Sequence, residues 1–302
     1  MKLELLKNDR ICFFGDSITA NGMWIAEVFE HFVKNYPELK IGLYNCGIGG
    51  SRGYAFDLKD RVHCDCLQLF PKYVVVMFGM NDIHPWLYNP EHPEYDVPGI
   101  REKQYELYEA ALERMIALFK KEDITPILCS PTPYDQYSDM EAENLLADSG
   151  IQACRKIVME KAEKYGLIFV DMYTALMDRL DRTPVGIDRV HPNDFGHHLM
   201  AERFLYTIGA KASEDIDTQV VLSQKNLARK DTEAKLRRMM GIERDHFMLQ
   251  FEPSKPLEER KAALKKAMDE GNFLHCAPYL EEADYRDEIY GELIKRTKAM
   301  YD

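Results

Sequence analysis

The 302-residue chain predicts an α/β protein: a three-layer α/β/α sandwich on a central parallel five-stranded sheet, followed by a mostly helical C-terminal extension. Three observations point there. Five short runs are apolar almost throughout, as strands are when both faces of a parallel sheet are covered. Helical patterns stand between them, and alternating strand and helix gives parallel βαβ units. Hydrophobic residues make up 46% of the chain, enough for a substantial core and too many for a disordered polymer.

Taken in order, the strands are expected at residues 10–14, 41–46, 73–78, 124–130 and 167–171. The helical patterns cover 23–36 after the first strand, 53–69 after the second, 100–121 before the fourth and 142–165 before the fifth. A last one, 195–210, closes the set. Beyond it the alternation stops, which divides the chain into a domain over 1–210 and an extension over 211–302. Within the extension, 222–240, 257–270 and 285–300 read as helices, with Pro253 and Pro256 breaking the chain between the first two. Met239, Met240, Phe247, Met248 and Phe251 interrupt its charges, as an apolar docking seam would. It is expected to pack on the core or to mediate homo-oligomer formation.

Charge narrows the partners. The formal net charge is −12 and the isoelectric point about 5.3. That disfavours a broad phosphate-binding surface and gives no support to nucleic acid. Residues 1–210 hold 22 Lys/Arg against 32 Asp/Glu and residues 211–302 hold 17 against 19, so the acidity sits on the first domain. The N-terminal Met1–Lys7 stretch lacks a long apolar core and a small-residue cleavage site, and no run is long enough for a membrane span. The expected home is the cytoplasm. Seven cysteines cannot all pair within one chain and show no disulfide spacing; Cys12, Cys46 and Cys129 lie in strand runs, where a reduced cysteine acts as a small hydrophobe. His63-Cys64-Asp65-Cys66 is too crowded and too isolated for a metal site, so no metal is expected.

The chemistry is carried by four blocks: Gly15-Asp16-Ser17-Ile18-Thr19, Asn45-Cys46-Gly47-Ile48-Gly49-Gly50, Gly79-Met80-Asn81-Asp82 and Asp188-Arg189-Val190-His191. Ser17, Gly47–Gly50 and Asn81 fall just after the first three strands and His191 shortly before the last core helix. Ligands of open parallel sheets sit beyond the carboxyl ends of their strands. Serine-based ester cleavage needs a nucleophile, a base, a carboxylate to orient the base, and donors for the oxyanion. Ser17, His191 and Asp188 supply the first three, the last two on one short turn. The backbone N–H groups of Ser17 and Gly50 and the side chain of Asn81 are the candidate donors. Each block also has a plainer reading. Gly15-Asp16-Ser17 suits a turn and helix cap, and Asn81 suits a post-strand turn. Asp188 could pair with Arg189 on a surface loop, with Asn193 or Asp194 capping the next helix.

Two other motifs compete. Gly49-Gly50-Ser51-Arg52-Gly53 fits the nucleophile elbow of α/β-hydrolases. That fold places more strands before its elbow, and the reading leaves Ser17 and Asn81 idle. Gly47-Ile48-Gly49 could open a dinucleotide loop, but Arg52 stands where the third glycine belongs. The loop over 83–98 carries four prolines with Trp86, Tyr88 and Tyr95. It either walls the substrate pocket or packs as a surface loop. Asp16, Trp86 and Tyr88 are the candidate substrate contacts. His84, His92, His197 and His198 have no complementary partners by spacing and read as satisfied surface or core residues.

Together the four blocks, with their order and contexts, resemble the SGNH/GDSL hydrolase family over roughly residues 8–210. The resemblance implies a flavodoxin-like strand order, Gly50 as the oxyanion glycine, and no cofactor. It also implies a small-molecule ester substrate, with O-acetyl groups on carbohydrates as the leading expectation and thioesters or lysophospholipids as alternatives. An interaction protein built on a hydrolase scaffold is the alternative from another class.

Overall fold

The computed structural model describes residues 3–57, 61–178 and 186–216. Its centre is a five-stranded sheet of β1 (Arg10–Gly15), β2 (Gly42–Asn45), β3 (Tyr73–Met77), β4 (Thr125–Cys129) and β5 (Ile168–Val170). All pairings are parallel and the order is β2-β1-β3-β4-β5, the flavodoxin-like arrangement expected. β1 sits second from one edge with β2 and β3 on either side, so the loops leaving those three strands converge on one rim. Helices cover both faces, which gives the three-layer sandwich.

The strands are buried over nearly their whole length, because helices shield both faces and only apolar side chains tolerate that. On one side, Phe13 of β1 meets Trp24 and Phe204 at ring-centroid distances of 5.0 and 5.6 Å. Trp24 belongs to α2 (Met23–Asn35) and Phe204 to α7 (Asp194–Thr207). The next residue of β1, Phe14, points the other way and meets Phe78 at 5.4 Å. α4 (Ile100–Lys121) and α5 (Asp148–Tyr165) pack on each other and are joined outside the core by the pair Lys164–Glu113 at 2.8 Å.

Two short helices were not anticipated. α1 (Ser17–Asn21) follows β1 directly and ends at Gly22, whose φ of 79° turns the chain into α2. α6 (Met172–Met177) follows β5 and is capped by Asp171. The expected helix over 53–69 is broken: α3 (Arg61–Asp65) lies between two single 3₁₀ turns, Gly53–Ala55 and Leu67–Leu69. The helix expected from residue 142 begins only at Asp148, because 135–142 is held in a loop by Arg189. The extension is described only to residue 216; its expected helices lie outside the described residues. Among the described residues, no helix is long and apolar enough to cross a membrane.

Candidate active site

Ser17 is the first residue of α1, where a backbone N–H has no acceptor within its own helix. Asp16 caps that helix, its carboxylate accepting the Ile18 N–H at 3.0 Å. Behind the turn, Gly15 is squeezed: an added Cβ would stand 2.6 Å from Met77 O and 2.1 Å from Thr19 Oγ1, so only glycine brings β1 and α1 this close.

At the opposite wall, a short turn carries Asp188 and His191. Asp188 Oδ1 accepts the N–H groups of Val190 and His191 at 3.2 and 2.7 Å. Its Oδ2 stands 2.8 Å from His191 Nδ1, and His191 Nε2 stands 2.8 Å from Ser17 Oγ. The structure therefore joins the three residues in one hydrogen-bonded chain that is open to solvent, with side-chain exposures of 35% at His191 and 47% at Asp188. Burial opposes ionisation of Asp188, but the bonds from His191 outweigh it and hold the carboxyl below its ordinary range. Arg189, between them, pairs with neither; it is buried and bound to backbone carbonyls. Asn193 caps α7, accepting the Gly196 N–H at 2.9 Å.

Gly50 and Asn81 lie on the loops after β2 and β3, the two strands that neighbour β1. Gly50 is exposed at φ 70°, a left-handed conformation that side chains resist. Asn45, which opens the second sequence block but had no role assigned to it there, ties this loop to α1. Its Nδ2 donates to Thr19 O at 2.9 Å, and its Oδ1 accepts the Gly47 N–H at 3.0 Å. The Asn81 amide donates to Ser51 O at 3.0 Å, and Arg52 Nε donates back to Asn81 O at 3.3 Å. Asp82 is fully buried and accepts the N–H groups of Gly79 and Tyr54 at 3.1 and 3.2 Å.

Of the expected substrate contacts, two have their polar groups engaged within the protein. Tyr88 is buried; its hydroxyl bonds that of Tyr105 at 2.5 Å, and the Arg101 guanidinium lies 3.9 Å from its ring centroid. Asp16 is also buried and occupied with its cap, and burial pushes its carboxyl up to about 7. Trp86 alone of the three is open, at 44% exposure. Its ring centroid lies 4.5 Å from that of His84 at a tilt of 56°; His84 Nε2 is 3.2 Å from Tyr54 Oη, and Arg52 Nη1 donates to that same oxygen at 2.9 Å. This cluster of Arg52, Tyr54, His84 and Trp86 was not foreseen, since it joins two loops thirty residues apart. His84 and His198 prove to be satisfied residues, the latter buried 2.8 Å from Glu27.

Among the described residues, one cluster of possible metal ligands is present: the thiols of Cys12, Cys46 and Cys66, within 4.8 Å of one another and buried. Burial pushes the Cys12 and Cys66 thiols well up, as for small side chains packed in an apolar core.

A parallel, flavodoxin-like α/β sandwich with a Ser–His–Asp chain at the carboxyl ends of its strands has the parts of a serine-dependent ester hydrolase. Residues 13–199 match the model of the GDSL-like lipase/acylhydrolase family, and the chain belongs to that family. It is a carboxylic ester hydrolase. It is 29% identical over 227 residues to an acetylxylan esterase of Geobacillus stearothermophilus, an alignment covering 68% of this chain and 97% of that one. Crystal structures of two catalytic mutants of the Geobacillus enzyme, one with a serine and one with an aspartate replaced by alanine, each match at 27% identity. They cover 70% of this chain and all of theirs, with TM-scores of 0.56 and 0.57. A gut microbial diltiazem-metabolizing enzyme matches with a TM-score of 0.60 at 26% identity. That match covers 69% of this chain, which spans about half of the larger protein (48%).

Proposed function

We propose that the protein removes short acyl groups, foremost O-acetyl groups on carbohydrates, through an acyl-serine intermediate. The observation that carries this reading is the continuous Asp188–His191–Ser17 chain, with both side-chain links at 2.8 Å. Ser17 Oγ attacks the ester carbonyl carbon and passes its proton to His191 Nε2. Asp188, ionised at neutral pH, accepts the Nδ1–H and stabilises the imidazolium. The carbonyl oxygen becomes an oxyanion facing the N–H groups of Ser17 and Gly50 and the amide of Asn81. Collapse of the tetrahedral intermediate expels the alcohol, which takes the proton from His191. Water, activated by the same base, then releases the acid.

Two observations support a carbohydrate acetate as the substrate. One is the acetylxylan esterase activity that the Geobacillus relative is named for. The other is the exposed Trp86 ring on its Arg52–Tyr54–His84 support, a flat apolar face of the kind sugar rings stack on.

Acetate release from acetylated xylo-oligosaccharides, compared with hydrolysis of long-chain acyl esters, tests the reading. Turnover of the acetylated sugars that Ser17→Ala removes is the expected result. A preference for long acyl chains would sink the substrate assignment. Full activity in Ser17→Ala with loss in Ser51→Ala would move the nucleophile to the elbow motif.

A further inference from the structure

The turn that presents His191 and Asp188 is largely exposed, closed at its base by the Gly186–Pro192 bridge, with Val190 packed partly against the core. Among residues 186–191 only Arg189 is buried, at 5% exposure, whereas Ile187 is 67% exposed. Arg189 also carries the turn's conformational cost. Its φ is 64°, the left-handed region that glycine enters freely and a branched side chain resists. A sequence selected only for this turn would place glycine here, so the side chain must return something for the strain.

What it returns is an anchor. The guanidinium donates to four backbone carbonyls of one loop: Nε to Ala142 O at 2.7 Å, Nη1 to Asp135 O at 2.8 Å and Ser138 O at 3.1 Å, and Nη2 to Met140 O at 2.8 Å. The main chain closes the connection from the other side, with the Asp135 N–H donating to Arg189 O at 2.8 Å. That loop is itself fixed. Asp135 Oδ1 accepts the N–H groups of Tyr137 and Ser138, and Asp148, buried at the start of α5, accepts the Tyr134 N–H and the Tyr137 hydroxyl. A rigid planar fork held at four points transmits position far better than a flexible ammonium would.

We propose that Arg189 is a positioning residue for the His191–Asp188 pair. It references the turn to the frame at the end of β4 and the start of α5, so that His191 Nε2 meets Ser17 Oγ. The inference rests on the acyl-serine reading above. In that reading, misplacing a catalytic group by about 1 Å costs on the order of a hundredfold in rate.

Arg189→Gly is the informative variant, because glycine relieves the left-handed φ while removing only the anchor. Assayed well below its melting temperature, it should lose roughly ten- to a hundredfold in kcat while KM changes little, since ground-state contacts are untouched. Guanidinium chloride in the millimolar range should refill the vacated space and restore part of kcat with saturation, which sodium chloride at equal ionic strength does not. A purely structural role predicts a lowered Tm, wild-type kcat in the folded variant and no response to guanidinium; that result overturns the proposal. Should Arg189→Gly not fold, Arg189→Lys keeps the charge and part of the bonding. A kcat loss there at unchanged KM supports positioning, and wild-type kcat rejects it. Ser17→Ala in parallel separates the two readings: activity surviving in Ser17→Ala defeats the acyl-serine mechanism itself, whereas activity surviving only in the Arg189 variants defeats this inference alone.

Discussion

An amide with two N–H donors can hold itself in place with one and act with the other. Asn81 spends one side-chain donor on Ser51 O, and its backbone carbonyl accepts Arg52 Nε. In the proposed mechanism the second N–H is left for the oxyanion. Asn81→Ala should lower kcat on the order of a hundred- to a thousandfold with a much smaller change in KM, because the donor acts once charge has developed. An unchanged kcat with a raised KM, measured by steady-state kinetics, would reassign Asn81 to substrate binding. Asp16 yields a different kind of prediction. Burial is the main cause that lifts its carboxyl from 3.8 to about 7, so the folded state prefers it protonated. Its contribution to stability is complete below about pH 4 and is lost as pH rises toward 7, where only the unfolded state gives up its proton readily. Asp16→Asn keeps the capping oxygen without the titration. Its Tm relative to the parent should rise between pH 4 and pH 7, by an amount on the order of a few kcal/mol in stability; a flat difference across that range would show Asp16 held ionised by its neighbours. At this scale the candidate nucleophile, base and carboxylate were legible because each has a local signature, the i,i+3 Asp–His spacing above all. Arg189 was not. Its neighbour Asp188 suggested a surface pair, whereas its acceptors are carbonyls about fifty residues away that no spacing rule reaches.

Elements differ in how plainly the sequence announces them, and the difference is physical. The strands were legible because burial on both faces forces an unbroken apolar run, and α4 because its 22 residues repeat the helical period many times. α1 and α6, at 5 and 6 residues, are too short to show a period and are set by caps and neighbours instead. Residues 53–69 carry helical residue types, yet at their start the Tyr54 N–H is drawn to the buried Asp82 carboxylate and Gly53–Ala55 forms a single 3₁₀ turn. The join between α1 and the loop after β2 is the element-scale feature on which the site depends. Asn45 bonds Thr19 O and Ala20 O on one side and the Gly47 N–H on the other. Asn45→Ala strands these buried partners, at about 1–3 kcal/mol for each unsatisfied group. It also frees the Gly50 loop from the helix that carries Ser17. The expected outcome is a lower Tm together with a fall in kcat measured well below that Tm. A loss of stability with kcat intact would mean the loop holds its shape without the bridge.

The described part of the molecule closes on itself at both ends. Near the N-terminus the Leu3 N–H donates to Ile208 O at 3.0 Å, and the Lys72 ammonium bonds Glu4 O and Asp9 at 3.0 Å each. After α7 the chain is tied back onto that helix: the Asp215 N–H donates to Glu202 at 2.7 Å, His198 Nε2 stands 3.0 Å from Asp215 O, and Arg203 and Lys211 pair with Glu214 and Glu202. His198 also reaches Glu27 of α2, so this return seals the α2–α7 layer that covers Phe13 and Trp24. Every strand of the sheet and every candidate catalytic group precedes that seal, and the family match ends earlier still, at residue 199. A chain ending after residue 216 should therefore unfold cooperatively and hydrolyse p-nitrophenyl acetate at close to the full-length kcat, with activity abolished by Ser17→Ala. Cutting instead after residue 207 removes the ties to Glu202 and His198 and leaves Glu27 facing an imidazole without its second partner. That shorter chain should lose several degrees of Tm relative to the 216-residue form, in line with a cost of about 1–3 kcal/mol for each buried group left unpaired. Activity lost on cutting at 216 but restored by adding back residues 217–302 would overturn the two-part division, because the extension would then complete the site.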